Sequence, residues 1–249
     1  MRRILTINLQ HGLSRSGVPT SPDALRAAFE GTSADVVLMQ EVDRGQPRSA
    51  GQDQAGIVAA ALGLPHMRFA ATVAGDVRGR RIAPAIMGGY DGVGYGLAIA
   101  SRWPVIAWFV RPLPRLPFRF PARTRRGLRW RDDEPRAVLA AVLRTPDGDL
   151  SVGCAHLSQL APVAVWQARR ALTAMAGLPG PRLLGGDLNL GSSMVRLLAS
   201  GWRQARALTF PADSPDRQID HLLAQRAELS GVTSLALPIS DHRGLLARF

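Results

Sequence analysis

The sequence contains no lysine, only one cysteine and no long uninterrupted apolar run. The single cysteine, Cys154, excludes an internal disulfide and leaves no cysteine pattern that could hold a metal. That suits a reducing compartment, and a cytoplasmic location is expected. The longest apolar region, Leu97 to Val110, is broken by Arg102 and Pro104, so no transmembrane segment is expected. A short apolar stretch follows Met1-Arg2-Arg3, but Asn8, Gln10 and His11 interrupt it too early for a secretion signal, and no small-residue cleavage site comes after. Internal repeats, low-complexity tails and interdomain linkers are also missing, which predicts one domain over residues 1–249. Without lysine, the formal charge of +12 is carried by arginine alone. Arginine in place of lysine, alongside abundant alanine, is also a mark of genome composition, so part of the excess need not be functional. A basic surface nevertheless favours anionic partners such as nucleic acid, phospholipid headgroups or phosphate esters.

What is present fits a globular protein with a sizeable core: 249 residues, 46% hydrophobic and 20% charged. The organising stretch is Pro181-Arg182-Leu183-Leu184-Gly185-Gly186-Asp187-Leu188-Asn189. An apolar run leaves a Pro/Gly turn and narrows to two glycines. It stops at a carboxylate with an amide two positions on. Short apolar runs bounded by turn residues read as buried strands, and the glycines admit a close approach to the backbone. Asp187 and Asn189 therefore stand where a buried strand surfaces, the place where open α/β sheets put their ligand chemistry.

Other segments repeat this arrangement. Arg3 to Leu9 is a first strand with Asn8 near its exit, and Asp35 to Met39 is a second that ends in Gln40-Glu41. Ser21-Pro22-Asp23 starts a helix, with Ser21 as N-cap and Pro22 at the first helical position. Gln52 to Leu62 reads as a helix stopped by Gly63 and Pro65. A glycine-rich passage, Gly88 to Gly96, leads into a strand from Leu97 to Ser101. Arg136 to Arg144 and Leu150 to Ala155 form a hairpin about Pro146-Asp147-Gly148, and its second arm ends in His156. Pro162 to Ala176 is a helix. Ile219 to Ala224, Val232 to Leu237 and Leu245 to Phe249 are further strands, with Ser240-Asp241-His242 before the last.

Residues 111 to 135 break the pattern as an insertion. Pro112, Pro114, Pro117 and Pro121 forbid a regular helix or central strand there. Arg111, Arg115, Arg119, Arg123, Arg125, Arg126, Arg129 and Arg131 are interleaved with Phe118, Phe120 and Trp130. The insertion reads either as a phosphate-backbone clamp whose aromatics stack on bases or enter lipid, or as a solvated insertion in an arginine-biased chain. Strands and helices mixed throughout, with hairpins as well as crossovers, predict an α/β fold with mixed sheets.

The strand-end residues together are Asn8, Glu41, His156, Asp187, Asn189, Asp220, Asp241 and His242. Acids, amides and histidines without cysteine suit a hard ion such as Mg2+ or Mn2+, and suit in-line attack on phosphorus. With Thr6-Ile7-Asn8, Gln40-Glu41, Glu134-Pro135-Arg136, Ala155-His156-Leu157, Gly186-Asp187-Leu188-Asn189, Gln218-Ile219-Asp220-His221 and Ser240-Asp241-His242 in this order, the chain resembles the endonuclease/exonuclease/phosphatase superfamily. These are the metal-dependent phosphoesterases related to pancreatic-type deoxyribonuclease and exonuclease III-like enzymes.

The resemblance implies a four-layer α/β sandwich, two mixed sheets face to face with helices outside and the site at one end. It implies Glu41 as principal metal ligand with Asn8 beside it, and Asp241 as a ligand or a brace for its neighbour. It implies His242 as the catalytic histidine, oriented by Asp220. Asp187 and Asn189 would position the water and the phosphate, with the base, Asp187 or His242, left open. His156 would donate to a phosphate oxygen, and Arg136 would contact substrate or order the site. Leu188, His221 and Leu97 depart from the commoner family residues, and Pro215-Asp216-Arg217-Gln218 replaces the cue of abasic-site repair. His11, His66, His221 and Cys154 read as structural. The expected activity is hydrolysis of a phosphodiester in nucleic acid. The alternatives are a phosphatase or phosphodiesterase on a lipid headgroup or small phosphate, and a non-catalytic binding module on the same fold.

Overall fold

Continuous apolar runs form the central strands because both faces of each sheet are covered. In chain order the strands are β1 (Arg3–Asn8), β2 (Val36–Arg44), β3 (His66–Ala74), β4 (Ala83–Pro84), β5 (Gly94–Ser101), β6 (Val105–Pro112), β7 (Phe120–Thr124), β8 (Gly127–Arg131), β9 (Ala137–Thr145), β10 (Gly148–His156), β11 (Arg182–Asp187), β12 (Arg203–Gln204), β13 (Asp220–Gln225), β14 (Ser230–Leu235) and β15 (Gly244–Arg248). The helices are α1 (Pro22–Ala27), α2 (Gln54–Ala61), α3 (Ala161–Ala176) and α4 (Ser192–Leu198). This computed structural model describes residues 2–13, 18–77, 83–84, 92–124 and 127–249. Arg125, Arg126 and the start of the expected glycine-rich passage lie outside the described residues.

One mixed sheet has the order β14-β15-β1-β2-β5-β3-β4, the other β12-β13-β11-β10-β9-β6. Alternate side chains of each strand serve different cores. Ile4, Val36, Leu38 and Ile99 of the first sheet meet Leu139, Val152, Cys154, Leu183 and Leu222 of the second. The opposite faces of β1 and β2, with Leu5, Ile7, Val37 and Met39, pack beneath Leu25 and Phe29, at and just beyond α1, and Val58 of α2. On the far side, Val138, Leu184 and Leu223 pack against Ala164, Ala168 and Met175 of α3 and Val195 of α4. The layers run helix, sheet, sheet, helix, which is the expected four-layer sandwich.

Three local expectations change. β2 does not stop at Gln40-Glu41; it continues to Arg44 through an irregularity in its pairing with β5 between Met39 and Val42. β3 and β6 form where no strand was expected, near the outer side of one sheet and at the edge of the other. Within the insertion, β7 and β8 make a separate two-stranded ribbon that joins neither sheet, with Pro112, Pro114 and Pro117 ahead of it in the chain.

The paired glycines have a packing cause. A Cβ at Gly186 (φ 147°) would collide with the Ala155 carbonyl oxygen of β10. At Gly185 it would stand 2.7 Å from both Leu222 and Leu38 side chains, the latter reaching across from the other sheet. What approaches these glycines is the protein itself, which lets β10 and β11 run side by side into the site.

Candidate active site

Strand polarity gathers the polar residues. β1 pairs parallel with β2, and β10 parallel with β11, so the exits of each pair lie together. β13 and β15 run antiparallel to β11 and β1, so each begins where its partner ends. In consequence His156, Asp187 and Asp220 are lateral neighbours in register: His156 opposite Asp187, and Asp187 opposite Asp220. Asn8 reaches across from the first sheet, its Nδ2 donating to Asp187 Oδ2 at 3.1 Å.

Glu41 and Asn189 enter through left-handed backbone. Glu41 has φ 52° at the irregularity in β2, which takes it out of the regular ladder. Asn189, at φ 50°, suits a residue type that tolerates this conformation. Its N–H donates to Asp187 Oδ1 at 3.0 Å and its Nδ2 to the Leu157 carbonyl at 3.0 Å. The Asp-x-Asn motif is thus a turn that holds its own carboxylate.

His242 is held on three sides. Ser240 Oγ accepts from the His242 N–H at 3.0 Å and donates to the Asn8 carbonyl at 2.6 Å. Both Asp220 oxygens face His242 Nδ1, at 3.1 and 2.9 Å, and the Phe210 ring lies 4.8 Å away, centre to centre. Asp220, Asp187 and His242 form a tight group, with polar atoms within 4.8 Å of one another. Because Asp220 is already committed to the imidazole, we read this group as a hydrogen-bonded His242–Asp220 pair facing Asp187, 3.8 Å away, rather than as ion ligands.

Burial shapes the electrostatics. Burial disfavours the charged form of His242, but Asp220, through charge and hydrogen bond, and then Asp187 and Asp241 outweigh it and carry the pKa up to about 10. Burial and the neighbouring Asp220 charge raise Asp187 to about 6, against His242 and two hydrogen bonds. Burial is also the main cause that raises Glu41 to about 7, with Asp187 and Glu134 adding to it and Arg136 opposing. His156 is pushed well below its ordinary value by burial and then by the Arg136 charge, so it is neutral.

An open cleft of about 430 Å³ is bordered by Glu41, Asp187, Asn189, Asp241, His242 and residues that sequence reasoning passed over. Among the latter is His11, expected to be structural. It lines the cleft with Nδ1 3.2 Å from Glu41 Oε2. Phe210 and Arg217, stacked with the guanidinium 5.1 Å from the ring centre, form another wall. No local pattern marks them; the loop before β13 brings them in. A smaller adjoining cavity is lined by Tyr95, Phe120, Glu134 and Arg136 as well as by Glu41. Asp241 is half exposed on the rim, 3.9 Å from His242 Nε2. The structure therefore brings together every expected site residue. Arg136, buried like most of them, is turned onto His156, at 2.6 Å.

His221 is structural: Nε2 lies 2.8 Å from the Leu190 carbonyl and Nδ1 3.0 Å from Gln204. Cys154 sits in the inter-sheet core, and burial raises its thiol to about 12, which leaves no thiolate for chemistry.

A face-to-face pair of mixed sheets with buried carboxylates, amides and imidazoles at one end defines a phosphoester hydrolase. The chain belongs to the Endonuclease/Exonuclease/phosphatase family, whose sequence profile matches residues 5–242. No curated protein matches the sequence. Among solved structures it is similar to an endonuclease/exonuclease/phosphatase from Beutenbergia cavernae (21% identity, TM-score 0.70, covering 99% of this chain and 70% of that one). It is also similar to a mannosyl-6-phosphatase from Bacteroides thetaiotaomicron (15%, TM-score 0.71, 100% and 99%). A third similar structure is D. rerio TDP2 in complex with a single-strand DNA product (14%, TM-score 0.68, 99% and 97%). At these identities the likeness concerns the fold.

Proposed function

We propose that this protein is a divalent-metal-dependent phosphodiesterase that cleaves nucleic acid. The observation that carries the reaction class is His242, fixed by Asp220 at 2.9 Å and facing Asp187 at 3.8 Å across the open cleft. A carboxylate near neutrality is suited to accept a proton from water, and a charged imidazole to donate to a phosphate oxygen. On this reading Asp187 takes the proton of the attacking water, with Asn189 holding the carboxylate in place. His242 donates to the phosphate, and His156 and Asn189 help seat it.

The donor set fits a hard cation. Glu41 is a half-buried carboxylate at the cleft, raised by desolvation and by neighbouring acids, a state that a bound cation relieves. Glu41, with the Asn8 amide oxygen and Asp241, would hold Mg2+ or Mn2+, which would supply neutralisation of phosphate oxygen charge. A single buried cysteine fits a cytoplasmic setting.

For the substrate, support comes from the charge of +12 and from the insertion. Phe118 and Trp130 are 62% and 63% exposed beside the exposed Arg115 and Arg119, while Phe120 borders the cavity next to Glu41. A strand leaving the cleft would meet this ribbon, with aromatic faces for bases and guanidinium groups for phosphates. A second reading, a small or lipid-borne phosphate, is favoured by the cleft itself, whose volume of about 430 Å³ suits a small ligand.

Hydrolysis of single- and double-stranded DNA, RNA, a sugar phosphate and an inositol phospholipid, with and without Trp130→Ala, separates these readings. Salt-sensitive cleavage of nucleic acid, weakened by Trp130→Ala, supports the first. Turnover confined to the sugar phosphate or the lipid overturns it.

A further inference from the structure

Two histidines aim Nε2 at the same Asp187 oxygen, His156 from 3.6 Å and His242 from 3.8 Å. Their other ring nitrogens meet partners of opposite character. His242 Nδ1 faces the Asp220 carboxylate, which can only accept, so that nitrogen carries a proton. His156 Nδ1 lies 2.6 Å from an Arg136 guanidinium nitrogen. A guanidinium has five donors, no acceptor and a proton it does not lose, so this contact needs the free lone pair of His156 Nδ1.

We infer that Arg136 is a positioning residue that holds His156 in the tautomer protonated at Nε2, so that His156 meets the substrate as a neutral hydrogen-bond donor. Only the identity of the acceptor, a phosphate oxygen, rests on the phosphoesterase reading; the tautomer stands on the contact geometry.

The arrangement is built by the sheet. In the β9–β10 pairing Ala155 stands opposite Val138, which brings the residue preceding β9 beside the exit of β10. Arg136 is buried there. Its second guanidinium nitrogen lies 3.2 Å from Glu134 Oε2, and its carbonyl accepts from Leu113 N–H at 2.8 Å. On the other side of the imidazole, His156 Nε2 is buried and has no hydrogen-bond partner. Asp187 Oδ2 and Glu41 Oε1, at 3.6 and 3.9 Å, are both beyond hydrogen-bond reach. A buried unpaired N–H is costly, and an oxygen of bound substrate would complete it. With Nδ1 occupied and Nε2 protonated, His156 offers no lone pair to a metal and none to a proton. Its role differs from that of His242 although both rings flank one carboxylate.

The test is the 15N spectrum of the full-length, metal-free protein labelled at histidine ring nitrogens, with His156 assigned by its disappearance in His156→Gln. The wild type should show His156 with Nδ1 unprotonated and Nε2 coupled to a proton. Arg136→Lys, which keeps a pure donor, should retain that pattern, and Arg136→Met should lose it to the Nδ1-protonated or exchanging form. A protonated Nδ1 in the wild type, or an unchanged pattern in folded Arg136→Met, overturns the inference. Should Arg136→Met fail to fold, the wild-type and Arg136→Lys spectra still decide.

Kinetics supply a second readout. On a phosphodiester, His156→Leu should lower kcat on the order of 10²-fold with KM little changed, as for loss of one transition-state donor. His156→Gln, which returns an N–H near the same place, should recover part of it. Equal loss in both variants would contradict the donor role. Absence of phosphoester turnover in the wild type would sink the functional reading and leave the spectroscopic result untouched.

Discussion

Asn8 and Asp187 stand 179 positions apart in the chain, yet the Asn8 amide donates to the Asp187 carboxylate at 3.1 Å. The bond ties the exit of β1 in one sheet to the exit of β11 in the other, buried beneath the cleft. Asn8 is itself fixed, since its Oδ1 accepts from Gln10 N–H at 2.9 Å.

Removing that tie should be felt in stability and chemistry together. Asn8→Ala leaves Asp187 with one donor fewer, at a cost of about 1–3 kcal/mol for an unpaired buried acceptor. Because the Asn8 bond favours the ionised form of Asp187, its loss should also move the acid limb of the rate profile to higher pH. Urea unfolding and a pH–rate profile measure both; unchanged values for the two would contradict the cross-sheet role.

Gly186 makes a sharper stability prediction. Its φ of 147° and the Ala155 oxygen that a Cβ would strike leave no room for alanine. Gly186→Ala should cost at least about 2–3 kcal/mol, from backbone strain together with forced separation of β10 and β11. Gly177→Ala serves as control. That residue has φ −78° and its nearest neighbour is 3.7 Å from an added Cβ, so a change within about 0.5 kcal/mol is expected. Equal unfolding midpoints for the two variants would refute the packing argument.

The His242–Asp220 pair predicts a pH dependence. The folded pKa of His242, about 10, lies above its ordinary 6.5. Between these values the folded state binds more protons than the unfolded one, so stability falls as pH rises. The contribution is complete below pH 6.5 and gone above about pH 10. In chelator, the wild type should lose stability across this window, and Asp220→Asn should lose less there. Parallel curves from pH 6.5 to 10 would show that Asp220 does not hold the charged imidazole.

Part of this site was legible in the sequence. Asp220 opens β13 and Asp241 precedes β15, but other polar residues of the site end an apolar run, and parallel pairing brings such exits together. Asn8, His156 and Asp187 are of this kind. Glu41 was expected at a strand end, but β2 passes through it on a left-handed residue instead of ending there. His11, Tyr95, Phe210 and Arg217 were not legible as site residues. Loops or a glycine-rich approach deliver them, and their neighbours along the chain do not resemble a site. β3 was missed because a strand near the outer side of a sheet is only half covered, and Arg68 and Thr72 interrupt its apolar residues. β6 does carry an apolar run, Val105 to Val110, but it follows the strand from Leu97 to Ser101 so closely across Pro104 that it was not separated from it. The paired glycines were read as admitting a close approach to the backbone, and what approaches is β10 and the facing sheet.

The measurement that bears most directly on the account is hydrolysis of a chromogenic phosphodiester by the wild type, Glu41→Gln and His242→Ala, each with Mg2+, Mn2+ or chelator. The account predicts wild-type turnover that chelator abolishes, at least about 10²-fold loss in His242→Ala, and loss in Glu41→Gln that extra metal partly restores. Turnover that persists in chelator, or that survives His242→Ala undiminished, would contradict it.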